Sequence, residues 1–203
     1  MTADLLLAFI AFAFVSSVTP GPNNMMLLAS GLNFGVRRSV PHMLGITIGF
    51  MWLVACVGLG LGEIFQRWPI MHSALRYLGA AYLLYLAYKI ARSAPPEGGD
   101  NTRSKPFTFL QAAAFQWVNP KAWVMAIGAI TTYTPSENFT TNVLLVALVF
   151  GLVNGPSVSI WTMAGSLLRL WLSQPKALRA FNWSMAFLLV ASLYPIFIET
   201  GAP

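Results

Sequence analysis

The sequence predicts an all-α, polytopic membrane protein: six transmembrane helices forming two inverted three-helix repeats, with helices one and four broken. Three observations predict it. Of 203 residues, 57% are hydrophobic and 9% charged, whereas soluble domains carry about 25% charged residues. The apolar residues gather into six runs, and most lysines and arginines fall on one side of them. Prolines and asparagines interrupt the first and fourth runs at comparable depth.

The runs cover residues 5 to 34, 39 to 62, 69 to 91, 107 to 133, 141 to 170 and 177 to 198. Each is long enough to span a hydrocarbon core of about 30 Å, and backbone groups without water require each to be helical. Nearly the whole length is used, so residues 1–203 read as a single transmembrane domain. Repeat one is 1–91, a mobile loop spans 92–106 around Pro95-Pro96-Glu97-Gly98-Gly99-Asp100, and repeat two is 107–203. Arg37, Arg38, Lys89, Arg92, Arg103, Lys105, Arg169, Lys176 and Arg179 lie beyond the odd-numbered runs, against Arg67 and Arg76 on the other side. The positive-inside rule puts the 92–106 loop in the cytoplasm and both termini outside. The basic residues sit in short gaps between apolar runs, a topology signal and not a nucleic-acid surface. Met1 to Asp4 lacks the basic residues of a signal peptide, so the first run is expected to be retained.

In the first run, Thr19-Pro20-Gly21-Pro22-Asn23-Asn24 stands where an uninterrupted helix would be expected. A proline in a helix interior costs about 3 kcal/mol or more, and two flanking a glycine unwind it. Pro22 suits the first turn of a new half-helix, with Thr19 or Gly21 as its cap. An inverted repeat requires a counterpart in run four, and Gln116-Trp117-Val118-Asn119-Pro120-Lys121 supplies it. Two helix starts then aim free N–H groups and partial positive charge at the midplane, where a small zwitterion or anion would bind. Asn23, Asn24 and Asn119 add amides, and Lys121 is the one basic residue at depth. The alternatives are a kinked helix healed by its neighbours at the first break and a snorkelling Lys121. Asn154-Gly155-Pro156 breaks run five and reads equally as a kink or as part of the site.

Gly45 with Gly49, and Gly151 with Gly155, have the spacing that lets helices approach closely. His42 and His72 lie near run ends and read as hydrated interfacial residues. One cysteine, Cys56, and two separated histidines make no metal-site spacing. No cofactor is implied. A membrane hydrolase would need a nucleophile with a base at matching depth. A channel and an exporter of metal ions or other solutes are the remaining rivals, the latter weakened by the lack of soft ligands.

The stretches TPGPNNMMLLASGLNFGVRRSVPHMLGITIGF (Thr19 to Phe50), LGAAYLLYLAYKI (Leu78 to Ile90) and FQWVNPKAWVMAIGAI (Phe115 to Ile130) resemble the LysE/RhtB family of bacterial amino-acid exporters. The resemblance spans nearly the whole chain and implies a proton-driven secondary transporter of the bacterial inner membrane that expels amino acids. It places substrate binding on Thr19, Pro20, Gly21, Pro22, Asn23, Asn119, Pro120 and Lys121, beside Asn24 and Asn154 from the residue reading. The doubled asparagine and GAAYLLYLAYKIA lie closer to the cysteine/O-acetylserine branch. No Asp or Glu lies at membrane depth, so a neutral amino acid is favoured over a basic one. For the same reason the coupling proton is carried either by Lys121 or by the substrate. A six-helix bundle is also small enough to profit from forming a homodimer.

Overall fold

The computed structural model describes residues 1–61, 67, 69–93, 105–171 and 175–193. Every regular element among them is helical: α1 (Ala3–Val18), α2 (Pro22–Cys56) running into a π-helical turn (Val57–Leu61), α3 (Pro69–Ala91), α4 (Phe109–Gln116), α5 (Pro120–Tyr133), α6 (Phe139–Trp171) and α7 (Pro175–Ala191). Most of the expected 92–106 loop and the ends of runs two and six lie outside the described residues, as does the His72 side chain.

The first expected break divides α1 from α2. Thr19 precedes a proline and takes an extended ψ of 132°, as the ring of Pro20 demands. Its amide and hydroxyl both turn back to the Val15 carbonyl. Gly21 caps α2, and Pro22 stands at the first helical position, where its missing N–H costs nothing.

The second break is built differently. Thr108 and Gln111 form a reciprocal capping box that starts α4. The chain leaves the helix after Gln116, and Asn119 caps α5 by accepting the Lys121 amide at 3.2 Å.

Gly35 divides α2 in two. Its φ of 76° and ψ of 170° are non-helical, and the hydroxyls of Ser30 and Ser39 meet at 2.9 Å. In a straight helix those residues would be separated by about 13 Å, so the chain doubles back between runs one and two.

Run five does not break. The expected interruption at Asn154-Gly155-Pro156 is absent, and α6 passes through Pro156 as one helix of 33 residues. A lone proline withdraws one donor, whereas the first break combines two prolines with a glycine. Close packing against α2 also supports α6 beyond Pro156. A methyl on Gly31 would strike the Thr162 carbonyl, and one on Gly165 would strike that of Leu28, so α2 and α6 meet backbone to backbone. Gly45 and Gly49 seat α2 against Phe109 and Ala113 of α4 in the expected way. Gly151 meets Met51, but nothing approaches Gly155.

Two apolar cores flank this α2–α6 axis. Met26, Leu83, Leu86, Phe115 and Leu189 join α2, α3, α4 and α7. Phe9, Phe50, Leu53, Val146 and Phe150 join α1, α2 and α6, with Ala122 and Ala126 of α5. Phe150 receives the rings of Phe9 and Phe50 edge-on at 5.5 and 4.8 Å. Outside, Leu110, Val124, Leu152 and Phe187 are each at least 65% exposed, a surface suited to lipid. Phe139–Arg169 is long and apolar enough to cross a bilayer, as is Pro22–Leu61 with its reversal. His42 departs from expectation: it is wholly buried, because the reversal at Gly35 and the close α2–α4 approach carry it beneath Phe107.

Candidate functional site

Four helix ends meet at the two breaks: the C-termini of α1 and α4, and the N-termini of α2 and α5. Carbonyls at a C-terminus carry partial negative charge and amides at an N-terminus partial positive charge. Both signs are therefore offered within one small volume.

Asn24 serves the end of α1. Its amide donates to the carbonyls of Ser17 at 3.0 Å and Thr19 at 2.8 Å, which the end of the helix leaves without partners. Lys121 serves the same end from the other break. It stands in the first turn of α5, and its Nζ donates across to the Thr19 carbonyl at 2.5 Å and to the Pro20 carbonyl at 3.4 Å. The ammonium thus rests on the negative end of α1, and Gly21 leaves room for it: a Cβ there would come within 2.7 Å of Lys121 Cδ.

A second bond set joins the breaks. Asn23 and Gln116 exchange amide hydrogen bonds of 2.8 and 3.1 Å, and Gln116 also donates to the Ala112 carbonyl. The start of α2 is thereby tied to the end of α4. No side chain caps the α2 N-terminus. From α6, Asn154 donates to Ser17 Oγ at 3.3 Å, while its Oδ1 is buried without a partner.

A cavity lies between these groups. Its polar wall is Ser16, Ser17, Gly21, Asn23, Asn24, Asn119, Lys121 and Asn154, and its apolar wall is Phe50, Ala122 and Met125. The centre of a water molecule can range over about 20 Å³ inside it. That admits water, since about 10 to 15 Å³ is the minimum for one molecule. An amino acid needs more room than that, and the Lys121 side chain forms part of the wall.

The residues expected from the sequence are brought together here. Gly21, Asn23, Asn24, Asn119, Lys121 and Asn154 line the cavity, Thr19 and Pro20 give carbonyls to Lys121, and Pro22 and Pro120 open the two half-helices. Ser16, Ser17, Phe50, Ala122 and Met125 in the cavity wall, and the bond of Gln116 to Asn23, were not anticipated. Ser16 and Ser17 directly precede the first break and Gln116 opens the second, so adjacency was a usable signal for those three. Phe50 and Met125 carry none, since each is one apolar residue among many.

A family model described as LysE type translocator matches residues 14–192. The chain belongs to the LysE type translocator family. It is also 32% identical over 98% of its length to the whole of a cysteine/O-acetylserine efflux protein of Klebsiella pneumoniae. Proteins of the same description in Salmonella typhimurium and Escherichia coli K12 are 33% and 31% identical, over 82% and 97% of this chain and 85% and 100% of their own. No solved structure matches it. The family membership makes this LysE-type chain a membrane transporter and not an enzyme, as its motifs led one to expect.

Proposed function

We propose that this LysE-type protein exports small neutral amino acids, of the class of cysteine and O-acetylserine, from the cytoplasm. The observation that carries the reading is the reach of Lys121 from one broken helix onto the terminal carbonyls of the other. That contact is a cation held by backbone oxygens, the arrangement an α-ammonium group needs. When the substrate enters, its ammonium takes the Thr19 and Pro20 carbonyls together with the unpartnered Asn154 Oδ1. Its carboxylate is met by the displaced Lys121 and the uncapped start of α2. A zwitterion uses both the carbonyl end of α1 and the amide end of α2, whereas a simple anion uses only the latter.

The apolar wall of Phe50, Ala122 and Met125 receives the side chain, which suits a short substrate. No carboxylate lines the cavity, and Asp4, the one acidic residue on α1, stands at the far end of that helix, so a lysine or arginine side chain would be buried without a counter-charge.

The architecture belonging to this reading is six transmembrane helices in two inverted repeats. Run one is α1 with the start of α2, and run four is α4 with α5. The arginine and lysine distribution supports cytoplasmic 92–106 and external termini in the bacterial inner membrane. Movement of one repeat against the other alternates access, and a proton, carried by Lys121 or by the substrate, drives it.

The test is uptake of labelled cysteine, O-acetylserine, leucine and lysine into inside-out vesicles with an imposed proton gradient. Saturable accumulation of the two small substrates, collapsed by an uncoupler, is the expected result. Lysine accumulating equally well would overturn the substrate assignment, and persistence with uncoupler would overturn the coupling.

A further inference from the structure

We propose that His42 is a proton-sensitive wedge in the seam between α2 and α4, and that a proton on its ring parts the seam toward the cavity. The seam runs from Phe107 to the proposed site. His42 lies at one end, its ring 5.0 Å from Phe107 and edge-on to it. Gly45 then seats against Phe109 and Ala112, Gly49 against Ala113, and Phe50 reaches the cavity wall. From residue 42 to residue 50 is about 12 Å along the helix. Among the described residues, the side-chain hydrogen bonds joining α2 to α4 are those of the Asn23–Gln116 pair, at the cavity end. The rest of the seam is small-residue packing, which separates without breaking bonds.

His42 is the misfit in this seam. It is completely buried, and neither ring nitrogen has a hydrogen-bond partner. A neutral imidazole carries one donor and one acceptor, and each left unsatisfied costs about 1–3 kcal/mol. Buried groups left in this condition call for an explanation other than packing. Protonation makes the closed arrangement worse, because it turns the ring into two donors and a charge.

Among the described residues, the surroundings offer that charge no anion. On α3, Lys89 Nζ sits 4.4 Å from the Phe107 ring centre and faces Gln111 Oε1 at 3.5 Å. Lys105 precedes Phe107, and Arg37 and Arg38 stand one turn before His42 on α2. All are cations. No Asp or Glu occurs on α2, α3, α4, α6 or α7. With no anion beside it among the described residues, a charged ring is satisfied by water, and water reaches it by lifting Phe107 and the start of α4 from α2. The Thr108 capping box closes the first turn of α4 on itself, so that end can shift as a unit.

The inference rests on the proposed site only for where the opened seam leads. Its experiment reads the seam alone. A thiol is placed in the seam by Ile46→Cys, a position with no exposure that packs beside Ala112, in a Cys56→Ser background. The full chain in lipid nanodiscs is labelled with a membrane-impermeant maleimide from about pH 8 to about pH 6, a span that brackets the ordinary histidine range near 6.5. The same is done with His42→Gln and with His42→Phe, neither of which titrates. The loss of thiolate on acidification is shared by all three, so the ratio of rates isolates the ring. The expected result is that labelling of the His42 protein, relative to both variants, rises several-fold on acidification. A ratio that stays constant overturns the proposal. If one variant fails to fold, as judged by gel filtration, the other still decides.

Discussion

The two breaks differ in kind, although they sit at matching places in the chain. The first, at residues 19–21, is a supply of acceptors: the Thr19 and Pro20 carbonyls face outward from α1, and α2 begins on a glycine with no capping side chain. The second, at residues 117–119, is closed on itself. Asn119 caps α5, and the Trp123 indole donates to the Trp117 carbonyl at 2.8 Å. What the second break extends toward the first is a cation, Lys121, beside the Gln116 amide that holds Asn23. The first break gives backbone carbonyls and the second a cation, so two proline-marked breaks do not carry the same chemistry.

The largest effect expected from this asymmetry is at Lys121. Lys121→Ala removes the charged donor that meets the substrate carboxylate in the proposed pose, an interaction class of about 1.5–3 kcal/mol, which converts to about 10- to 150-fold in transport rate. Asn119→Ala loses a cap, about 0.5–2 kcal/mol, and is expected to reduce transport less than Lys121→Ala. Initial rates in inside-out vesicles, normalised to folded protein, rank the two. Equal losses would mean that the second break acts as a rigid unit and not through its cation.

The middle effect is at the bond between the breaks. Asn23→Ala and Gln116→Ala each leave a partly or wholly buried amide unpaired, at about 1–3 kcal/mol. The double variant is expected to lose less stability than the sum of the two. Thermal unfolding in detergent measures that cycle, and additive losses would show that the pair is not coupled.

The smallest effect is at Pro156, the proline that breaks nothing. Pro156→Ala restores a backbone donor to a helix already continuous, so unfolding temperature and transport should change little. A large loss of transport there would erase the distinction between the prolines of the breaks and the proline of α6.

Much of this was legible in the sequence because the signals were local. Two prolines around a glycine end a helix wherever they lie, and Asn-Pro-Lys reads as a cap, a first turn and a cation. The break in run five was misread because one proline looks the same in sequence whether its neighbours hold the helix or let it go. The close contacts of Gly31 with Thr162 and of Gly165 with Leu28 bear on that, and they join residues 131 and 137 positions apart. His42 was misread for a similar reason. Its place near the end of an apolar run said interface, while its burial depends on Phe107 arriving from the other half of the chain.

The reversal at Gly35 has a consequence for the chain as a whole. Residues 22–61 would make a straight rod of about 60 Å, twice the thickness of the hydrocarbon layer. Doubling back at one glycine makes them an outbound arm and a return, with exposed Arg37 and Arg38 just past the bend. A positive φ at a single position therefore acts as a parity bit. It sets whether everything downstream of the π-helical turn emerges on the face where α1 began or on the opposite one.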